Sequence, residues 1–514
     1  MALLVADRAR EQPGEVGLRD DRVALTWPEL NGLLNRVANG LHQLDLGPQR
    51  RVAVYAENAV ETVVAHLGAL LAGASSVPVN FHLTTDEVAY ILADSGAAVV
   101  FVGPETAERG IEAAARAGIA TVIGWRCTPS PDITPWEGWV AASDPAEPRV
   151  DVPPRPNLMY TSGTTGRPKG VDLPPTMFAG GTTITEHVDA LANNRFAKVG
   201  THLVVGPMYH TGPLSGVRTL AVGTPVVVLN KFDPEGVLRA IDTYKTGSTV
   251  MVPTHFARML ALPEATRARY DVSSMQVVAH TGAACPPDVK RRMIEWFGPI
   301  FADAYGATEV GTICTITSPE WLEHPGSVGR CIPPFARAVV VDDEGNEVPA
   351  GQEGRLFFED STGRGIVYPN DPAKSAAAHL RPGVFTIGEI GYVDVDGYVY
   401  ITDRFSDMIV SGGVNIYPAE AEQVLITQSG VADVAVIGVP NAEMGEEVKA
   451  LVVPSNPADP PTPAELMAFC RQRLAGYKSP RTIDIVDSVG RTAMGKINKK
   501  ALRTPYWPSD RTIG

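Results

Sequence analysis

The sequence predicts an α/β protein with a large N-terminal domain of two α/β layered subdomains plus a small β-barrel-like subdomain, followed by a small mobile α+β C-terminal domain. Three observations carry that expectation. Short apolar, β-rich runs alternate with amphipathic runs over residues 51–125 and again over 202–297, the rhythm of parallel sheets covered on both faces. From Ala336 the rhythm turns hairpin-like, and past Asp407 it becomes a compact mixture of strands and helices. A chain of 514 residues also exceeds what one core fills and implies roughly three structural units.

In the first layer, residues 52–55, 76–80, 98–102 and 120–125 read as buried strands, with helices expected at 58–72, 85–94 and 104–117. Pro, Asp and Ser crowd residues 128–156, which read as a connector. The second layer places strands at 202–206, 225–229, 248–252 and 276–281 and helices at 234–244, 254–262 and 287–297, with no sequence repeat relating the two halves. Asp343-Glu344-Gly345-Asn346 and Asp396-Gly397 are turn signals beside β-rich runs such as 355–358 and 398–402. Asp403-Arg404-Phe405-Ser406-Asp407 then interrupts the apolar pattern. After it come a helix at 418–427, strands at 434–439 and 448–454, and a helix at 462–474. The expected division is an N-terminal domain over 1–403, a hinge over 404–407 and a mobile C-terminal domain over 408–514.

A hydrophobic content of 44% with 20% charged residues suits a globular chain with large cores. The net charge of -14 argues against a nucleic-acid partner, which needs a basic face. Five scattered cysteines (Cys127, Cys285, Cys314, Cys331, Cys470), none in a Cys-x-x-Cys pair, indicate neither a disulfide framework nor a zinc site. No signal peptide is expected, and the most apolar run, residues 60–79, is broken by Glu61 and His66. The reading is a cytoplasmic protein without a transmembrane segment, for which peripheral membrane contact is compatible and the oligomeric state, a homodimer included, stays open.

The densest chemical signal is Tyr160-Thr161-Ser162-Gly163-Thr164-Thr165-Gly166-Arg167-Pro168-Lys169-Gly170-Val171. Backbone N–H groups, hydroxyls and an ammonium in such a loop can wrap phosphate oxygens. Taken alone, a Gly/Ser/Thr cluster is more often a surface turn than a phosphate site, and the familiar P-loop does not fit, because Lys169 precedes Gly170 rather than Ser or Thr. Further segments follow: Gly206-Pro207-Met208-Tyr209-His210-Thr211-Gly212, Gly282-Ala283-Ala284, Asp303-Ala304-Tyr305-Gly306-Ala307-Thr308-Glu309, Asp403-Arg404 with Ser411-Gly412-Gly413, and Arg491-Thr492-Ala493-Met494-Gly495-Lys496-Ile497.

In this order, and over most of the chain, these segments resemble those of the adenylate-forming superfamily of acyl-CoA synthetases, luciferases and peptide-synthetase adenylation domains. The likeness is strongest to a bacterial fatty-acid or carboxylic acid–CoA ligase. It implies ATP, Mg²⁺ and CoA as cofactors and co-substrates, and a carboxylic acid as substrate. By resemblance Thr161, Ser162, Gly163, Thr164, Thr165, Gly166 and Lys169 hold phosphates, while Gly282, Ala283 and Ala284 wall the adenine. Asp303, Ala304, Tyr305 and Gly306 complete the nucleotide site, with Tyr305 stacked on the base. Thr308 touches phosphate, Glu309 and Thr161 bind the metal, and His210 gates the acyl pocket. Arg404 bonds the ribose, Ser411, Gly412 and Gly413 line a CoA tunnel, and Lys496 bridges the carboxylate and the α-phosphate. The chain departs from the pattern at Glu389, where the family has an Asp on the ribose hydroxyls, at Ser406 in the hinge, at Gly490 before the lysine segment, and in lacking a His in Asp172-Leu173-Pro174-Pro175.

The implied reaction is formation of acyl-AMP and pyrophosphate, then transfer of the acyl group to CoA as the small domain turns. Three rivals share parts of this signature. A ligase loading a carrier protein differs by lacking a CoA tunnel and hence CoA-dependent AMP release, a luciferase-like monooxygenase by emitting light with a luciferin, and a non-catalytic nucleotide-binding descendant by lacking acid-dependent ATP–pyrophosphate exchange.

Overall fold

The computed structural model describes residues 4–161, 168–174, 177–282, 285, 287–342, 344–367, 372–404, 409–490, 497 and 499–507. A large N-terminal domain and a small C-terminal domain share the chain. The first α/β layer is a five-stranded parallel sheet in the order Ser75–Pro78, Arg51–Tyr55, Ala97–Val102, Thr121–Gly124, Thr134–Pro135. Helices Val60–Leu71, Thr85–Ser95 and Ala107–Ala117 connect its strands. In Val60–Leu71 every residue except Glu61 is buried, so this most apolar run is an interior helix. No helix among the described residues is long and apolar enough to cross a membrane.

One expectation is corrected here. The supposed connector at 128–156 contains the edge strand Thr134–Pro135 and helix Trp136–Ala142. Its Trp136 meets Phe101 and Trp125 edge-on, with ring centroids 5.7 and 5.6 Å away. Aromatic burial supplies the stabilisation that a Pro- and Asp-rich composition conceals.

The second layer is a nine-stranded sheet, parallel from Phe301–Ala307 through Val277–His280, Ser248–Met251, His202–Val204 and Val226–Val228 to Val16–Arg19. Antiparallel strands flank it: Gly311–Thr317 and Arg330–Cys331 on one side, Ala24–Thr26 on the other. The first residues of the chain thus complete a sheet assembled nearly two hundred residues later, with Leu18 opposite Val226. Helices Pro234–Tyr244 and Pro287–Phe297 keep their expected bounds. The first is set by Pro234 in its opening turn and by the Asp233 carboxylate, which accepts the Gly236 N–H at 2.8 Å.

A six-stranded antiparallel sheet follows, built on Phe335–Val341, Gly354–Asp360, Glu389–Val393 and Val399–Arg404 around Leu356, Phe358, Phe385 and Val399. In the small domain a five-stranded sheet carries Ile409–Ser411, Val414–Ile416, Val431–Asn441, Gly445–Pro454 and Thr482–Ile485. Helices Pro418–Leu425 and Pro463–Arg471 close its core through Leu425, Leu466 and Cys470.

Candidate active site

Parallel strands of both α/β layers end at one cleft. Pro78 and Asn80, Val205 and Gly206, Val252, and Thr281 and Gly282 all lie at or just past the carboxyl ends of strands and line a cavity of about 930 Å³. Such a crevice is where open α/β sheets bind ligands, because the connections leave it free.

The phosphate-loop segment is a hairpin in which Leu158–Thr161 pairs with Lys169–Asp172, Thr161 opposite Lys169. Met159, Tyr160 and Pro168 face the cavity. The Tyr160 hydroxyl donates to Asp94 Oδ2 at 2.6 Å, and burial with that bond pushes the phenol pKa well up, which makes it an anchor for the hairpin. Ser162, Gly163, Thr164, Thr165 and Gly166 lie outside the described residues, as do Ala283, Ala284 and Lys496; so do the side chains of Thr161 and Arg404 and hinge residues 405–407.

The loop carrying His210 is clamped by a residue far away in sequence. Asn58 Nδ2 donates to the carbonyls of Gly206 and Leu229 at 2.9 and 3.1 Å, and its Oδ1 accepts the Met208 N–H at 2.9 Å. His210 precedes helix Thr211–Val217 with its ring centroid 4.4 Å from that of Tyr209, which in turn meets Phe81 at 5.2 Å. Desolvation pulls the imidazoles of His210 and His255 down to about 4 and about 3, and lowers that of His82. The wall they form is therefore neutral near pH 7.

Alternation along strand Phe301–Ala307 divides its motif between two faces. Ala304 lines the cavity, and past the irregularity between Tyr305 and Gly306 so do Gly306, Ala307 and Thr308. Asp303 turns the other way, its Oδ2 accepting from the buried Lys290 Nζ at 3.3 Å and its Oδ1 lying 3.5 Å from His280 Nδ1. Tyr305 has its ring centroid 5.9 Å from Phe358 of the antiparallel sheet. Thr281 Oγ1 donates to the Ala304 carbonyl at 2.6 Å, tying Gly282 to this strand. Glu309 is half-buried in the turn beside Thr308. A hydroxyl on the wall with a carboxylate next to it is an all-oxygen donor set, the chemistry Mg²⁺ takes. Glu389 is 8% exposed and opens strand Glu389–Val393 opposite Arg404.

The small domain reaches the same cleft. Gly412 and Gly413 have φ of +60° and +81°, which side-chain-bearing residues rarely adopt, and the Gly412 N–H donates to the Met444 carbonyl at 2.7 Å. A Cβ built on Gly413 would stand 3.1 Å from Val252 Cγ1, so the loop sits against a strand end of the large domain. Gly412, Gly413, Val414 and Asn415 line the cavity, while Ser411 is buried. Sequence reasoning missed Arg195, Phe232, His255, Tyr477 and Lys478, all on the cavity wall. They fall outside any local motif and meet only by folding.

The fold and this cleft define a nucleotide-dependent enzyme whose small C-terminal domain completes a site on a two-layered α/β domain. The chain belongs to the AMP-binding enzyme family, whose model matches residues 5–363, and residues 420–496 match the AMP-binding enzyme C-terminal domain. It is 35% identical over 505 residues to the feruloyl-CoA synthase of an Amycolatopsis species, covering 97% of both chains. The amide bond synthetase McbA of Marinactinospora thermotolerans superposes with a TM-score of 0.81 at 27% identity, covering 98% of this chain and 99% of that one. Two structures of the o-succinylbenzoate CoA synthetase MenE of Bacillus subtilis are also similar, each at 25% identity. A double mutant bound with the product analogue OSB-NCoA gives a TM-score of 0.78 over 98% of both chains. The complex with the acyl-adenylate intermediate OSB-AMP gives 0.64 over 100% of this chain and 99% of that one. This protein is an acyl-CoA synthetase, an AMP-forming acid–thiol ligase using ATP, Mg²⁺ and CoA.

Proposed function

We propose that the chain joins a fatty or related acyl acid to CoA in two steps that share this cavity. First the acid's carboxylate attacks the α-phosphorus of ATP, forming acyl-AMP and expelling pyrophosphate. Thr161, Ser162, Thr164, Thr165 and Lys169 hold the leaving phosphates, and Lys496 stabilises the charge that builds on the α-phosphate. Tyr305 and residues 282–284 hold the adenine, and Glu389 with Arg404 the ribose. A magnesium ion held by Glu309 and Thr161 would offset phosphate charge. Then the thiol of CoA attacks the acyl carbonyl and AMP leaves. For that step the small domain turns about residues 404–407, withdrawing Lys496 and presenting Ser411, Gly412 and Gly413.

The observation that carries this reading is the Gly412–Gly413 loop seated against Val252 at the cavity rim. The higher TM-score to MenE with its product analogue than to MenE with its acyl-adenylate, at equal identity, supports assigning the arrangement seen here to the second step. His210, whose basicity burial lowers to a pKa of about 4, suits a gate rather than a base.

The acid's far end is read from Arg195. It lies on the cavity wall beside the Phe196 ring, 5.2 Å from its centroid, with no carboxylate partner among the described residues. Its guanidinium suits an acid bearing a second hydrogen-bond acceptor, a carbonyl or a carboxylate. A reducing, cytoplasmic setting is part of this reading and rests on the sequence, whose five scattered cysteines form no Cys-x-x-Cys pair.

A panel of acids scored by AMP release with and without CoA tests the reaction, and a chain that shows acid-dependent ATP–pyrophosphate exchange yet releases no more AMP when CoA is added would move the acceptor to a carrier protein. Lys496→Ala is expected to abolish adenylate formation yet still convert supplied acyl-AMP to acyl-CoA. Equal loss of both steps counts against the turning domain.

A further inference from the structure

A buried charge triad joins the two domains next to the cavity. Lys478, between helix Pro463–Arg471 and strand Thr482–Ile485, has a side chain only 3% exposed. Its ammonium donates to Glu420 Oε2 and to Glu87 Oε1, both at 2.7 Å. Glu420 lies in the first turn of helix Pro418–Leu425, within the small domain. Glu87 belongs to helix Thr85–Ser95 of the large domain, and its side chain is 13% exposed. The other Glu87 oxygen accepts the Thr84 N–H and Oγ1 at 2.8 and 2.9 Å, so the capping box of its own helix aims the carboxylate. Beside the triad, Asn80 Nδ2 donates to the Tyr477 hydroxyl at 3.1 Å, a second bond across the seam.

Electrostatics makes the arrangement directional. Burial pushes the Glu420 carboxyl up against the pull of Lys478, and burial also opposes the Lys478 ammonium, yet Tyr477, Glu420 and Glu87 together hold its pKa above the ordinary lysine value. An ammonium this buried needs its partners, and removing one leaves desolvated charge uncompensated. Lys478 also lines the cavity that Gly412 and Gly413 line from the same domain, so the ion pair and the loop dock together.

We propose that Glu87 is a positioning residue for the thioester-forming step: it receives Lys478 when the small domain docks as seen here, and so holds the Gly412–Gly413 loop at the rim for CoA. The inference rests on the two-arrangement reading above.

Glu87→Gln removes the charge while leaving an acceptor for the Thr84 cap, so helix and fold are retained. Two rates on one acid are read: acid-dependent ATP–pyrophosphate exchange, and single-turnover transfer from supplied acyl-AMP to CoA. Exchange is expected within about twofold of wild type, and transfer slowed roughly tenfold or more, the scale of one lost hydrogen bond between charged groups. Lys478→Gln is expected to slow transfer similarly, and the double variant to be no slower than the worse single, since both remove one contact. Unchanged transfer in Glu87→Gln, or equal loss in both rates, overturns the proposal. A wild-type chain that exchanges pyrophosphate but passes no acyl group to CoA overturns the reading beneath it as well.

Discussion

Glu389 shows how one methylene shifts a question from chemistry to geometry. The family pattern has Asp here, and the longer carboxylate sits 8% exposed at the start of a strand, in register with Arg404. If it grips the ribose hydroxyls, Glu389→Ala should raise KM for ATP about tenfold or more, as expected for losing charge-assisted hydrogen bonds. KM for the acid should stay near wild type, and steady-state kinetics with each substrate varied in turn decides the matter. Arg195 makes the complementary case at the acid's end. Arg195→Leu is expected to lower kcat/KM about tenfold or more for acids with a distal carbonyl or carboxylate, while sparing or improving matched alkyl acids. Equal loss on both classes would remove Arg195 from substrate recognition. Neither residue advertises itself alike: Glu389 stood in a recognisable motif, whereas Arg195 follows two asparagines in a segment without periodicity and acquires its setting only when residues 194–196 meet the cavity.

Among the elements, the Gly412–Gly413 turn is the one on which the proposed CoA step leans most for its size. Both residues need a left-handed backbone, and Gly413 also needs the space beside Val252. Gly413→Val should therefore slow acyl transfer to CoA well beyond its effect on pyrophosphate exchange, measured as two separate half-reactions; a variant equally active in both would detach the turn from the second step. The α/β elements were legible because local signals agreed with the final packing. Helix Pro234–Tyr244 has its Asp233 cap, its proline and its buried stripe all in one stretch of chain. The helix at Trp136 escaped because its stabilisation comes from Phe101 and Trp125 on a neighbouring strand and its loop. Strand Phe301–Ala307 illustrates a subtler limit: its motif reads as one unit in sequence, yet the pleat turns Asp303 toward Lys290 and Ala304 toward the cavity.

Across the whole molecule, buried histidines tie stability to pH. Desolvation lowers His66, His202 and His255 to about 3 and His210 and His280 to about 4, against about 6.5 in an unfolded chain. Between pH 6.5 and those values the unfolded state takes up protons that the native state refuses, so stability present above pH 6.5 falls as pH falls. Each such group contributes about 1.4 kcal/mol per pH unit once well below its unfolded pKa. Glu61 and Glu420, raised by burial, work in the opposite sense and offset a part. Melting temperature should decline from pH 6.5 toward 4.5, and His66→Gln, which can keep a hydrogen bond to Ser76, should flatten the decline; a Tm constant over that range would refute the account. What the sequence determined by itself was the order of layers, the helices with their own caps, and the family that its motif segments resemble, because periodicity, capping and motif spacing are properties of neighbouring residues. Only the tertiary structure decided that residues 16–26 finish the second sheet, that Asn58 clamps the His210 loop, and that Glu87 meets Lys478. Those pairings join residues between 150 and 391 positions apart, and what selects them is the burial of apolar surface and charge, which no local pattern encodes.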